Sequence, residues 1–170
     1  QWKVRYPGHE GVIGKRNYKM KTTTNSYGID FNDKKAWDDI QASDIVWPVN
    51  RSVRFNSISK DIIHSFYIPD FRVQIYAVPG MTNYFQFTPT VTTEEMRERM
   101  NDPKYDYVML CNKMCGSGHF NMQKKVVVVT EEEYKAWLST QNKDFTEDLQ
   151  KEFTAVDSKE SNELTTASLN

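Results

Sequence analysis

Both cysteines of the 170-residue chain and one of its three histidines lie within a single stretch of twelve residues, 111–122. The stretch contains Cys111, Cys115, His119 and Met122 at the spacing Cys-x3-Cys-x3-His-x2-Met. Thiolates, imidazoles and thioethers are soft ligands, which select copper, zinc or iron–sulfur iron over oxygen-loving ions. The stretch therefore indicates a soft-metal site, and copper is our working hypothesis.

The number of cysteines bears on how many copper ions the site would hold. A mononuclear blue-copper site uses one Cys, two His and a weak axial Met, and this loop has one Cys more. Two thiolates can bridge two copper ions, each of which then takes one terminal imidazole. The second imidazole must come from outside the loop. His64 in a predicted strand is the candidate, whereas His9 lies in a polar loop and is expected to be solvated.

Two alternatives to copper remain open from the residues alone. A Cys2His2 zinc site would use the same cysteines and histidines, but it would leave Met122 without a role. A disulfide between Cys111 and Cys115 would close a small loop, which gains little from closure entropy. Met122 could also be a core residue, although its place two residues beyond His119 favours a ligand.

The composition excludes several classes of function. The formal net charge is −1, from 22 Lys and Arg against 23 Asp and Glu, and no basic stripe is visible, which argues against nucleic-acid binding. The longest aliphatic run, 126–129, is far shorter than the ~20 apolar residues that span a membrane. The chain begins at Gln1 without a signal-peptide pattern, and we expect that an upstream portion is missing or was removed.

Short apolar segments separated by turn signals predict an all-β sandwich or barrel with few helices. Strands are predicted near 2–6, 18–23, 44–47, 53–58, 62–68, 71–76, 84–87, 105–110 and 126–130. Helices are predicted to start after Thr92 and Thr130, each followed by Glu three residues later as in a capping box. A further short helix is predicted over 33–40 with Asp33 as its N-cap.

The composition changes after residue 138, so we predict one domain over 1–138 and a polar tail over 139–170. Phe145, Leu149, Phe153 and Val156 recur at steps of four, four and three, which predicts an amphipathic helix over about 144–156. This helix would pack on its own domain or dock on a partner subunit; the remaining alternative is that the segment is unstructured. The chain from about residue 157 is expected to be disordered.

Three motifs, in this order, resemble one known family: His64-Ser-Phe-Tyr-Ile-Pro69, Ala77-Val-Pro-Gly80 and Cys111-x3-Cys115-Gly-x2-His119-x2-Met122. Residues 1–138 are similar to the soluble copper domain of cytochrome c oxidase subunit II. The resemblance implies a cupredoxin-like Greek-key β-sandwich that carries a dinuclear CuA centre.

The resemblance also implies a role for each site residue. His64 and His119 would supply the terminal imidazoles, and Cys111 and Cys115 would supply the bridging thiolates. Met122 would supply the weak thioether. Lys113 would bind one copper ion through its backbone carbonyl. The family usually has Glu at this position, and its side chain also contacts a magnesium ion at the boundary with subunit I. A lysine ammonium has no lone pair and repels the cation, so Lys113 argues against that magnesium site.

The function implied by the resemblance is electron transfer at the periplasmic face of a bacterial inner membrane. The domain would accept electrons from cytochrome c, soluble or fused, and pass them to the haem and copper centres of subunit I, where O2 is reduced. Upstream helices would anchor it in the membrane. Because O2 is reduced in subunit I, this chain itself would only transfer electrons. The proton-translocating oxidoreductase would be the whole complex.

Three other functions are alternatives to this one, and one of them is a zinc-stabilised interaction module. The CuA domain of nitrous oxide reductase has a similar copper motif, but that enzyme needs a large propeller domain that 170 residues cannot contain. A periplasmic copper-delivery protein would bind Cu(I) without a mixed-valence signature.

Three further features bear on how electrons would enter the domain: an insertion, a tryptophan and a group of carboxylates. Residues 90–105 are an insertion relative to the family, expected to sit near the site. Trp2 aligns with the second tryptophan of the family's pair, so no electron-accepting aromatic residue is assigned. Seven carboxylates could form a docking face for a basic cytochrome, since complementary charge speeds encounter, or could be merely solvated: Asp30, Asp33, Asp38, Asp39, Asp44, Asp61 and Asp70.

Overall fold

The structure is a computed structural model that describes residues 2–8 and 11–143. His9 and the amphipathic helix predicted over 144–156 lie outside the described residues. The strands are β1 Val4–Tyr6, β2 Ile40–Ala42, β3 Ile45–Pro48, β4 Val53–Ser57, β5 His64–Ile68, β6 Val73–Ala77, β7 Asn83–Phe87, β8 Tyr107–Leu110 and β9 Gln123–Val129. The α-helices are α1 Thr93–Met100 and α2 Glu131–Ser139, and 3-10 helices span Tyr18–Met20, Lys34–Ala36, Pro69–Phe71 and His119–Asn121.

The described residues divide into two compact units, of which the first contains 2–4 and 43–140. Its main sheet has the strand order β3-β9-β8-β5-β6, and β4 pairs with β7 in a second sheet. β3 runs parallel to β9, whereas the other pairs are antiparallel. β9 lies between β3 and β8 in this sheet, and Val126 and Val128 of its aliphatic run are buried.

Aromatic side chains fill the space between the two sheets of the first unit. Phe55 of β4 stacks on Phe66 of β5 with ring centroids 4.1 Å apart. Trp47 of β3 contacts the edge of Phe87 of β7 at 5.0 Å. Because alternate residues of each strand face this layer, the two sheets bury one shared apolar core. The prediction of a cupredoxin-like β-sandwich is confirmed.

The second unit contains 5–8, 11–42 and 141–143. Its apolar core is a cluster of Ile29, Phe31 and Ala36. Buried Asp39 organises the surrounding chain, because its carboxylate accepts hydrogen bonds from Arg5 Nη2 at 2.5 Å and from the backbone N–H of Gly14 at 2.8 Å. A buried charge needs such partners, so this network fixes where the segment turns into β2.

Two predicted elements of the second unit were wrong in type or length. The strand predicted over 18–23 is instead the 3-10 helix Tyr18–Met20, because the Asn17 side chain accepts the backbone N–H of Lys19 and starts a helical turn. The helix predicted over 33–40 stops after Lys34–Ala36, although Asp33 is its N-cap as predicted. It stops because Asp39 is needed in the buried network and β2 begins immediately after it.

Both capped helices of the first unit are confirmed. The Thr92 hydroxyl accepts the backbone N–H of Glu95 at the start of α1, and α1 ends at Asn101 in a left-handed conformation. Thr130 and Glu133 form the reciprocal capping box of α2. Among the described residues, no helix is long and apolar enough to cross a bilayer.

The insertion at 90–105 lies away from the metal-ligand loop, contrary to expectation. Buried Thr93 of α1 accepts the backbone N–H of Val128 at 2.8 Å, and Arg97 pairs with Asp106 at 2.7 Å. Val128 is five residues beyond Gln123, where β9 leaves the loop, and this corresponds to about 16 Å at the rise of a strand. The insertion therefore braces the opposite end of β8 and β9.

Candidate metal centre

The loop 111–122 connects β8 to β9 and is closed like the end of a hairpin. The backbone N–H of Cys111 donates to the carbonyl of Met122 at 3.0 Å, which holds the two ends of the loop together. Gly116 has φ +118°, a conformation that side chains rarely adopt, and its carbonyl accepts the N–H of His119 at 3.1 Å. This turn folds the imidazole back towards the cysteines.

Sulfur and nitrogen atoms from this loop converge around Cys115. Its Sγ lies 3.6 Å from Cys111 Sγ, 3.4 Å from His119 Nδ1 and 3.4 Å from Met122 Sδ. Both cysteines are free thiols. The four side chains selected from sequence spacing therefore meet in one place.

His64 reaches the same place from a neighbouring strand. It is the first residue of β5 and is only 8% exposed. Tyr67 of β5 lies opposite Leu110 of β8, so the antiparallel register carries His64 to the level of the loop that follows Leu110. The donor atoms of His64, Cys111 and Cys115 all lie within 4.8 Å of one another, a group able to hold a metal ion.

Two residues outside the loop contact the His64 ring. Asp61 Oδ1 lies 2.7 Å from His64 Nε2. The Trp2 ring meets the imidazole edge-on at a centroid distance of 5.9 Å and also contacts Phe66. His64 Nδ1 is buried and has no hydrogen-bond partner in the described part of the chain. This nitrogen is therefore available to a metal.

The two thiols have different acidities because their surroundings differ. Burial raises the pKa of Cys111, but hydrogen bonds, above all from the backbone at Ser65 and Lys113, outweigh it and lower the pKa to about 7. Burial and the neighbouring Cys111 raise the pKa of Cys115. The thiolate is the form of cysteine that binds metal, and Cys111 is the more acidic of the two candidate ligands.

Lys113 contributes its backbone to the cluster and leaves its side chain in solvent. Its carbonyl oxygen lies 3.3 Å from Cys111 Sγ, whereas the residue as a whole is exposed. The contact of a carbonyl does not depend on the side chain, so lysine is compatible with a backbone ligand at this position.

The prediction that Asp39 belongs to an acidic docking face is wrong, because Asp39 is completely buried against Arg5. Asp70 accepts a hydrogen bond from the Tyr105 hydroxyl at 2.8 Å, and Asp61 contacts His64. These carboxylates have structural partners. Sequence reasoning missed the contact of Asp61 with His64, and its only sequence signal is the spacing of three residues between them.

Comparisons with known proteins agree with this architecture. Residues 26–131 match the family model for the periplasmic domain of cytochrome c oxidase subunit II. The alternative cytochrome c oxidase subunit 2 of Bradyrhizobium diazoefficiens is 33% identical over 143 residues, which are 83% of this chain and 47% of that protein. Cytochrome c oxidase subunit 2 of Thermostichus vulcanus is 33% identical over 91 residues, 53% of this chain and 24% of that protein.

A solved structure is also similar. The periplasmic domain of subunit II of cytochrome oxidase from Bradyrhizobium japonicum superposes with a TM-score of 0.51 at 29% identity, covering 62% of this chain and 68% of that one. The chain spans about half the length of the Bradyrhizobium diazoefficiens relative and about a quarter of the length of the Thermostichus vulcanus relative. With 106 of its 170 residues in the matched region, 26–131, the chain belongs to the cytochrome c oxidase subunit II family.

Proposed function

We propose that this chain is the electron-transfer domain of a cytochrome c oxidase and that it holds a dinuclear copper centre. One observation carries the proposal: two free thiols lie 3.6 Å apart, the His64 imidazole of β5 lies within 4.8 Å of both, and the His119 imidazole of their own loop lies 3.4 Å from Cys115 Sγ. Copper is the metal that membership of the family implies, and thiolate with imidazole is a donor set that suits it.

The proposed donor set contains two bridging thiolates, two terminal imidazoles, one weak thioether and one backbone carbonyl. These are Cys111 and Cys115, His64 and His119, Met122, and Lys113. The fit is supported by the buried Nδ1 of His64, which has no protein partner among the described residues. A buried polar atom without a partner is costly, and a bound metal ion would remove that cost.

Copper bound here would supply one-electron transfer without making or breaking covalent bonds of a substrate. The protein's part is to keep the donor atoms in place. His64 is fixed at the end of β5, and the loop is locked by the hydrogen bond from Cys111 to Met122. A donor set held by two strands changes little between oxidation states, so electron transfer meets a small reorganisation barrier.

The proposed electron donor is cytochrome c, and the proposed acceptor is subunit I, in a complex at the periplasmic face of the membrane. Two apolar side chains of the loop support docking at this end of the sandwich: Phe120 is 87% exposed and Met114 is 80% exposed. Exposed apolar patches mark interaction sites, and these two side chains belong to the same loop. Lys113 argues against a magnesium ion at the boundary with subunit I.

Copper binding by the reduced, metal-free chain tests the proposal. We expect two copper ions per chain after removal of excess metal, and competition by zinc should not displace them. Cys115→Ser should lose this stoichiometry, whereas Ser117→Ala in the same loop should keep it. A colourless chain that retains one zinc ion in preference to copper would contradict the proposal.

Electron transfer itself is measured by mixing the copper-loaded chain with reduced cytochrome c. The cytochrome should be oxidised as the visible colour of the copper centre fades, and the metal-free chain should leave the cytochrome reduced. A copper-loaded chain that cannot oxidise cytochrome c or a chemical one-electron donor would contradict an electron-transfer role.

A further inference from the structure

The contact between Asp61 and His64 is not explained by the donor set, because Asp61 is not a proposed ligand. We propose that Asp61 is a positioning residue that holds the proton of His64 on Nε2 and so makes Nδ1 the nitrogen that binds metal. This inference rests on the proposed function, in which His64 is a terminal ligand.

The turn before β5 aims the Asp61 carboxylate at the histidine. The Ser59 hydroxyl donates to the carbonyl of Ile62, and the backbone N–H of Asp61 donates to Ser59 Oγ at 3.4 Å. Ser59 Oγ also lies 3.3 Å from Asp61 Oδ1. A bridge between Ser59 and Pro79 anchors the turn to the segment after β6. The direction of the carboxylate is therefore set by the protein before any metal binds.

The chemistry of the two groups decides which nitrogen carries the proton. An ionised carboxylate only accepts hydrogen bonds, and neutral imidazole has one N–H and one lone pair. Asp61 Oδ1 lies 2.7 Å from His64 Nε2, so Nε2 must be the donor and Nδ1 must carry the lone pair. Nδ1 is also the nitrogen that is buried without a protein partner in the described part of the chain.

The Trp2 ring cannot make the same selection. It packs edge-on against the imidazole at 5.9 Å, which restricts the plane of the ring. Such packing does not distinguish the two nitrogen atoms from each other, whereas a hydrogen bond to one of them does. Trp2 and Asp61 therefore have separate roles at His64.

The two imidazoles of the site are held differently. His64 is buried and bonded to a carboxylate, whereas His119 lies in a short 3-10 helix with its Nδ1 3.4 Å from Cys115 Sγ. A carboxylate on the far nitrogen makes an imidazole a stronger electron donor to its metal. His64 should therefore stabilise the oxidised centre, and loss of Asp61 should raise the reduction potential.

The test compares Asp61→Ala and Asp61→Asn with the control Asp44→Ala. Asp44 is an exposed carboxylate just before β3, and its side chain accepts a hydrogen bond from the adjacent Ser43. The readouts are the reduction potential of the copper-loaded chain, the rate of copper loss to a chelator, and exchange of the His64 Nε2 proton with D2O measured by NMR. Thermal melting of each metal-free variant checks that it is folded.

We expect Asp61→Ala to raise the potential, to speed exchange of the Nε2 proton, and to weaken copper binding by about 10–100-fold, the usual cost of losing such a partner. Asp61→Asn keeps an acceptor oxygen, so exchange of the Nε2 proton should stay slow. Its reduction potential should lie between the potentials of the unmodified chain and of Asp61→Ala. Asp44→Ala should resemble the unmodified chain. Equal shifts in Asp61→Ala and Asp44→Ala would mean a charge effect only and would overturn the inference.

The metal-free chain separates this inference from the proposed function. Its His64 should show the Nε2–H tautomer by 15N NMR, and Asp61→Ala should show a mixture of both tautomers. An Nδ1–H tautomer in the unmodified chain would overturn the role of Asp61 whatever metal is bound. If the tautomer is as expected but copper does not bind as a pair, the proposed function fails and the positioning of His64 stands.

Discussion

Cys111 Sγ and Cys115 Sγ lie 3.6 Å apart as free thiols. A disulfide would bring the two sulfur atoms to about 2.05 Å, so the sulfurs are close without being bonded. The separation leaves both sulfurs able to bind metal, and each has a different imidazole near it. This arrangement is the physical basis for proposing two thiolate bridges.

Cys115 should be indispensable to the site, because its Sγ contacts Cys111, His119 and Met122 at once. A serine hydroxyl stays protonated at neutral pH and bridges copper poorly, so Cys115→Ser should abolish the visible absorption of the copper-loaded chain. The optical spectrum after copper addition checks this. Full retention of the spectrum in Cys115→Ser would refute the bridging role.

Met122→Leu should leave two copper ions bound and change the reduction potential. The thioether is a weak ligand, and leucine keeps nearly the same volume in a position that is 9% exposed. Metal analysis and voltammetry measure the two effects separately. Met114→Leu in the exposed part of the loop is the control and should leave the potential unchanged. Loss of both copper ions from Met122→Leu would contradict the weak-ligand role.

The metal-free chain should show a thiolate that forms near neutral pH. Hydrogen bonds lower the pKa of Cys111 to about 7, so this group is a thiol below that pH and a thiolate above it. The ultraviolet absorbance of thiolates should therefore rise in a first step near pH 7 and in a second step at higher pH, because the pKa of Cys115 is raised. Cys111→Ser should remove the first step; persistence of that step would show that another group titrates.

Thr93→Ala should destabilise the fold without changing the copper spectrum. The buried N–H of Val128 would lose its acceptor, which typically costs about 1–3 kcal/mol. Urea unfolding of the metal-free chain measures this loss, and Thr93→Ser should recover most of it. A changed copper spectrum in Thr93→Ala would mean that the insertion influences the metal centre after all.

The sequence could predict the loop residues of the site because a hairpin connection keeps Cys111 and Met122 close in space as well as in sequence. Some strands of the sandwich were also predictable, since β4 and β6 alternate between buried and exposed residues. The role of Asp61 was not predictable, because an exposed aspartate resembles any other until the turn at Ser59 fixes its direction.

The errors in the second unit have a common cause. The segments at 18–23 and 33–40 are short and polar, so local side-chain hydrogen bonds from Asn17 and the buried pair of Asp39 with Arg5 decide their conformation. Periodicity carries little information in such segments. The position of the insertion was missed for a related reason, since the contact of Thr93 with Val128 joins residues far apart in sequence.

Electron paramagnetic resonance of the copper-loaded chain tests the central claim most directly. A dinuclear centre bridged by Cys111 and Cys115 predicts a seven-line hyperfine pattern, because one unpaired electron is shared equally by two copper nuclei. It should accompany two thiolate-to-copper absorption bands in the visible spectrum. A four-line pattern from a single copper ion, or no copper signal in a chain that has bound zinc, would contradict the dinuclear centre.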